Sequence, residues 1–406
     1  MQKLLLLSLL LLPACLLQAQ QESGKNIRKE VQTQLIMAEK GDTIRIPAGV
    51  FTSDGSLSLD EKEDIVIMGA GMNETLISFK DQTDGAEGLR VSNCRNIQII
   101  GLTIEDAKGD CIKVMATEGI YFYDVRASWS GKPEKTNGAY GFYPVSCTHV
   151  IIDHCEAVGA SDAGIYVGQS HNIIVRHSKA YYNVAGIEIE NSTLADVHDC
   201  EATNNTGGIL VFDLPDLPKK KGGNVRVFNN YIHDNNYKNF APPGNTVATV
   251  PPGTGLMILA TNDVEAYGNR IINNITAGTA IISYYMTETP IKDAAYYPYP
   301  TSIYVHDNTY SREVGKPTLS NRMGKLLFLK FGKNVPDILY DGIIDPAKAG
   351  DNGQLQAEYR ICIQRNGGAT FANLDAGNNF KAISREIQAY DCSRDQLDSA
   401  NPPTPR

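Results

Sequence analysis

Gly141-Phe-Tyr-Pro-Val, Gly164-Ile-Tyr-Val-Gly, Gly186-Ile-Glu-Ile-Glu and Gly208-Ile-Leu-Val-Phe follow one another at steps of 23, 22 and 22 residues. Each opens a similar unit: a short strand led by Gly, a turn, a second apolar run such as Asn172-Ile-Ile-Val-Arg, then a polar stretch rich in Asn. A fixed period of this length marks a solenoid, whose units bury their apolar sides only by stacking on one another. The apolar runs have strand length, so the fold class read from them is all-β, a right-handed parallel β-helix. Function then belongs to one face of the stack.

Aligning the second run of each unit at Ile97, Ile120, Val150, Ile173 and Val225 fixes the register of the first. Leu89, Ile112, Phe142, Ile165, Ile187, Ile209 and Leu256 should stack in one inward column, and Val91, Val114, Pro144, Val167, Ile189, Val211 and Ile258 in another. Strand alternation sends the residues between them outward. Asn183 and Asn205 sit three residues before a strand Gly, where turns favour Asn in the left-handed region and stacked amides bond one another.

The ends lack this pattern. Residues 1–19 read as an export signal, with Lys3, an apolar core from Leu4 to Leu12 and Leu17-Gln18-Ala19 at the cleavage end. Leu12-Pro13-Ala14-Cys15 also resembles a lipoprotein box, so anchoring at Cys15 stands beside a periplasmic or secreted destination. The apolar run is too short to span a bilayer, and no later segment is long and apolar enough. Residues 26–39 place Ile27, Val31, Leu35 and Met37 or Ala38 on one helical face, a lid for the open end of the stack. The solenoid with this lid is assigned to 20–312. A non-repetitive cap and tail take 313–406, with strands expected at 327–331, 338–344 and 359–363 and a loose end after Ala400.

The net charge of −9 and the lack of a basic stripe argue against a nucleic-acid partner. Of the eight cysteines, Cys155 and Cys200 hold one strand position two turns apart, with Ser178 between. At about 4.8 Å per turn their backbones lie roughly 9–10 Å apart, beyond disulfide reach. Cys94 and Cys147 flank Thr117 in the same way, leaving Cys362 and Cys392 as the expected bridge.

The segments Asn183-Val-Ala-Gly-Ile-Glu-Ile-Glu-Asn-Ser, Asn205-Thr-Gly-Gly-Ile-Leu-Val-Phe-Asp-Leu-Pro and Val250-Pro-Pro-Gly-Thr-Gly resemble a family of exported bacterial right-handed parallel β-helix repeat proteins. Its superfamily is pectin-lyase-like, and the resemblance covers roughly residues 30–390. It implies the fold, export and an expectation of carbohydrate chemistry, because many pectin-lyase-like relatives are polysaccharide lyases, hydrolases or uronate epimerases. The narrow family has no assigned activity, so no catalytic residue carries over. The adjacent Asp pair with Gly-His of polygalacturonase-like hydrolases and the Asp-Pro-His of mannuronan epimerase-like proteins are both missing from the first-strand face.

The first outward row reads Arg90, Lys113, Tyr143, Tyr166, Glu188, Leu210, Met257. From Arg90 to Glu188 it spans roughly 19 Å at about 4.8 Å per turn, the length of a short oligosaccharide. Removing the proton beside a uronate carboxylate needs a cation for the developing charge, a role for Arg90 or Lys113. It also needs an acid and a base, roles open to Tyr143, Tyr166 and Glu188. Glu190 shares the face with Glu188, and paired carboxyls raise one another's pKa. Asn191 and Asp213 close those strands within reach of the same cleft as substrate-binding candidates, and Trp129, the only Trp, could stack on a sugar or anchor its loop. This pattern points to an anionic polysaccharide and to lyase or C5-epimerase chemistry.

No cofactor is expected: scattered Asp residues leave Ca²⁺ open without a spaced loop to support it. His154 and His177 share a position on another face, none of the seven His residues forms a compact metal-ligand motif, and no metal site is expected. Leu210, Phe212, Met257 and Leu259 project outward from two consecutive turns and need a cover, either the 213–222 and 237–254 loops or an envelope protein partner. A non-catalytic binding or scaffold protein is therefore the alternative. An open polar cleft over residues 90–190 would favour the enzyme.

Overall fold

In a computed structural model describing residues 23–403, the chain winds into a parallel β-helix. The first sheet stacks eleven strands, from Gly55–Asp60 to Phe371–Asn373. A twenty-stranded ladder covers the other two faces. The two faces share one ladder because Arg95–Glu105 and Glu118–Ser128 run round the corner between them, turning at Gly101 (φ 64°) and Asp124 (φ 55°).

The register is the one read from the repeat. Leu89 pairs with Ile112, Ile112 with Phe142, and the column continues through Ile165, Ile187, Ile209 and Leu256, all buried. Burying one such side chain stabilises by about 1.5–3 kcal/mol, a gain each turn obtains only from its neighbours. The amides stack as expected: Nδ2 of Asn183 donates to Oδ1 of Asn205 (3.1 Å), Asn205 to Asn235 (2.9 Å) and Asn235 to Asn274 (3.1 Å). A second ladder joins Asn230, Asn269, Asn308 and Asn366 at another corner. The left-handed conformation falls one residue earlier than expected, on Tyr182 (φ 59°) and Asn204 (φ 56°), which turns the following amide inward to the next coil.

At the N-terminal end, helix Arg28–Met37 buries Val31 and Leu35, its flanking Ile27 and Ala38 are buried beside them, and Met37 is left in solvent. Gln32 pairs its side-chain amide with both backbone groups of Ser58 (3.0 and 2.8 Å), so it ends the exposed edge of the first strand. Lys62 donates to the carbonyls of Ile36 and Ala38 (both 2.8 Å) at the helix C-terminus.

The C-terminal region differs from expectation. Past residue 312 the parallel ladder continues: Ile338–Tyr340 adds to Ala277–Ile282, Ile361–Gln364 to Thr301–His306, and Phe371–Asn373 to Ile338–Tyr340. Long insertions between these strands hide the period. Residues 327–331 are not a strand but the end of helix Arg322–Phe331, because Met323, Leu327 and Phe331 repeat every four residues and Asn321 caps the N-terminus by accepting from the Gly324 N–H (2.8 Å). Nor is the chain loose around Ala400. Leu397, Ala400 and Asn401 donate their N–H groups to Glu265 (3.1 Å), Asp196 (3.2 Å) and Asn172 (2.8 Å), so the tail straps back along the second face. Cys362 and Cys392 are bonded, while Cys94, Cys147, Cys155 and Cys200 are unpaired and buried, as is Cys111. The export signal and Cys15 lie outside the described residues.

Candidate functional site

The outward column of the first sheet forms in register, Arg90 beside Lys113, Lys113 beside Tyr143, Tyr166 beside Glu188, then Leu210 and Met257. Its environment changes midway. Arg90 is exposed and Lys113 and Tyr143 are half-buried, whereas Tyr166, Glu188, Leu210 and Met257 are buried. The cover comes from the chain itself. Phe240, Val247 and Val250 of the 237–254 loop, Tyr284, Tyr296 and Leu327 pack with Leu210, Phe212, Met257 and Leu259 in a second apolar core outside the coil.

At the open end, the Lys113 ammonium lies between Glu87 (3.4 Å) and Asp110 (3.5 Å) and 5.2 Å from the centre of the Tyr143 ring. Tyr143 stacks on Tyr140 at 4.4 Å, and Tyr166 packs 4.8 and 4.9 Å from the two rings. Burial pushes the Tyr143 phenol up to about 12 and the other two well above their ordinary value, so all three hold their protons at neutral pH.

Where open and covered halves meet, the Tyr166 hydroxyl donates to Oε1 of Glu190 (2.7 Å). This contact explains the Gly ending Gly164-Ile-Tyr-Val-Gly. Gly168 lies directly beside Glu190 in the sheet, and a Cβ there would fall 2.0 Å from the Tyr166 oxygen. A bare position lets the phenol cross to the carboxyl. Burial pushes Glu190 up to about 7, although the Tyr166 hydrogen bond pulls the other way. Asp162 is likewise pushed by burial to about 7 against bonds from Asn245 (Nδ2 to Oδ2, 2.8 Å) and Tyr140. Glu188 is raised well above its ordinary value, by burial and by the neighbouring Asp162 and Glu190, and its Oε2 has no hydrogen-bond partner among the described residues. Desolvated like charges cannot all ionise, so the cluster stores protons at neutral pH.

Three expected site residues serve the scaffold instead. Trp129 is 7% exposed and donates its indole N–H to the Ala107 carbonyl (2.8 Å), which makes it the anchor of its loop rather than a sugar platform. Asn191 is fully buried and clamps the 213–222 loop, donating to the Leu214 and Lys219 carbonyls (3.0 and 2.9 Å) and accepting from the Leu214 N–H (2.8 Å). Asp213 holds the far end of that loop by accepting from the Gly222 N–H (2.8 Å), and burial pushes it to about 7. Neither faces an open cleft.

Sequence reading did not single out Tyr140, Asp162, Glu87 or Asp110. Tyr140 had a visible signal: it is a large ring in a column that continues with Ala163, Ala185 and Gly207. Asp162 immediately precedes one of those small residues, at the lip of the same strand.

Residues 87–238 match a family model described as the right handed beta helix region. The chain has a right-handed β-helix fold. No curated protein matches it. Among solved structures it is similar to the A-module of a mannuronan C-5 epimerase of Azotobacter vinelandii, with 16% identity over 84% of this chain and 91% of that one and a TM-score of 0.49. It is also similar to an exopolygalacturonase of Thermotoga maritima (12% identity, 77% and 80% covered, TM-score 0.44) and to a pectate lyase (12%, 68% and 72%, 0.42). These are likenesses of fold.

Proposed function

We propose that this right-handed β-helix is an exported carbohydrate-active protein that takes a uronate-containing glycan along the open half of its first sheet and moves the proton at C5. The observation carrying the reading is the buried Tyr166–Glu190 pair, 2.7 Å apart, set at the inner end of the row Arg90, Lys113, Tyr143. A carboxyl poised near 7 is suited to accept a proton at neutral pH, and a phenol that keeps its proton is suited to return one.

In this reading Lys113, shared with Glu87 and Asp110, faces the carboxylate of the reacting uronate, and Arg90, exposed at the open end, receives the carboxylate of a uronate further along the glycan. Glu190 accepts the C5 proton through Tyr166: the phenol passes its own proton to the carboxylate as it takes the one from carbon. Tyr143 stands over the same sugar as donor. Loss of the C4 leaving group completes an elimination, and reprotonation of C5 from the other side completes an epimerisation. Glu188, raised well above its ordinary value by burial, favours its neutral form and so adds little charge against an anionic sugar. The apolar patch that would serve an envelope partner is covered by the chain's own loops, which removes the main support for a scaffold role.

The test is a panel of uronate polymers incubated with the mature protein, followed for ultraviolet-absorbing unsaturated product and for binding. Activity on at least one polymer, lost in Arg90→Ala and Lys113→Ala with the fold intact, is the expected result. No binding and no reaction across the panel would overturn the proposal.

A further inference from the structure

We propose a second site on a different face: Asp153, His154 and His177 form a surface site for a borderline divalent transition metal, Zn²⁺ being the best match. The solenoid register builds it. Asp153 ends strand Thr148–Asp153 and pairs with Arg176, the end of strand His171–Arg176, so the residues that follow, His154 and His177, stand one above the other. Both take the left-handed conformation, φ 53° and 47°, and their rings lie 4.8 Å apart. Twenty-three residues separate them, one turn of the coil, so a search for short linear ligand spacings misses them.

The Nδ1 atoms of both imidazoles converge on one oxygen, Oδ1 of Asp153, at 2.6 and 3.0 Å. The three donor atoms lie within 4.8 Å of one another, and this is the group of its kind among the described residues. Asp153 is 4% exposed, and its other oxygen is fixed by Arg176 through Nε (2.9 Å) and Nη2 (2.8 Å). That clamp aims Oδ1 between the imidazoles, as an outer-shell partner orients a metal ligand. The His154 and His177 side chains are 52% and 43% exposed, which leaves an entry path and room for water to complete the coordination.

Two imidazole nitrogens with one carboxylate oxygen suit Zn²⁺, Co²⁺ or Ni²⁺ rather than Ca²⁺ or Mg²⁺, which take oxygen donors. A metal held by the two Nδ1 atoms would leave each neutral imidazole with its one hydrogen on Nε2, facing solvent. Other histidines of the chain make a contrast. His198 turns its Nδ1 to Asp199 (2.6 Å), and His306 divides its nitrogens between Asp307 (2.6 Å) and Glu265 (3.1 Å), so no carboxylate there collects two imidazoles. The proposal does not depend on the first-sheet site.

The experiment titrates the mature protein, free of any histidine tag, with Zn²⁺ by calorimetry and with Co²⁺ by visible absorption. One equivalent bound, with a Co²⁺ ligand-field spectrum, is expected. His154→Ala and His177→Ala should each weaken binding by about tenfold or more, as ligand-set changes do, and the double variant should abolish it. His198→Ala should leave it unchanged. Both site side chains are solvent-facing, so circular dichroism and melting of the variants should match the parent. No Zn²⁺ or Co²⁺ binding by the parent, or undiminished binding by the double variant, would overturn the site.

Discussion

From Arg90 to Tyr143 the outward column of the first sheet meets solvent, while from Tyr166 through Leu210, Met257 and Leu339 the same column lies under loops and helix Arg322–Phe331. The strands are alike in both halves, since alternation points these residues out of the coil in every turn. Alternation decides which side of the sheet a residue faces, not whether that side is wet. Insertions decide the second question: the covered half is where the 237–254 loop and the residues around Tyr284 and Tyr296 fold back. The buried carboxyls Asp162, Glu188 and Glu190 gather on the border between the halves, where burial raises their pKa values.

Phe212→Ala should have the largest effect on this contrast. Although Phe212 points out of the coil it is 1% exposed, and truncation should cost about 3–5 kcal/mol, as for an interior Phe. The urea midpoint measures it, and a loss below about 1 kcal/mol would mean the loops do not seal that half. Gly168→Ala should come next, at about 1–3 kcal/mol, because the added methyl meets the Tyr166 phenol and pushes it off Glu190.

The pH dependence of stability sharpens the border itself. Asp162, Glu190 and Asp213 have folded pKa values of about 7, against about 4 for unfolded carboxyls. Between these limits the folded state binds more protons than the unfolded, so their contribution is fully present below about pH 4 and is lost as pH rises to about 7. Glu190→Gln should flatten the melting temperature over that range, and an unchanged slope would show that Glu190 ionises freely. Arg90→Ala, at the open end, should shift stability by no more than about 0.5 kcal/mol.

The periodic parts of this structure were legible in the sequence because every turn repeats one environment. The Ile165, Ile187, Ile209 column, the Asn183 and Asn205 amides and the Cys362–Cys392 bridge follow from register and from what the register forbids. Residues whose surroundings come from remote segments were not legible. Trp129 looked available because its cover, Ala107 and the inner core, belongs to the preceding turn and its loop has no period. Tyr166 and Glu188 were read correctly as outward, but their burial depends on a loop some fifty residues or more further along. The C-terminal strap bonds Asp196 and Asn172 across 204 and 229 residues, a contact that no local pattern announces.

The central claim is that the Tyr166–Glu190 pair moves a proton where the open and covered halves of the first sheet meet. Solvent-deuterium exchange at C5 of a bound uronate, followed by NMR with parent, Tyr166→Phe and Glu190→Gln proteins of verified fold, tests it most directly. Exchange or elimination by the parent that disappears in both variants is the predicted result; exchange that proceeds equally in all three would contradict the claim.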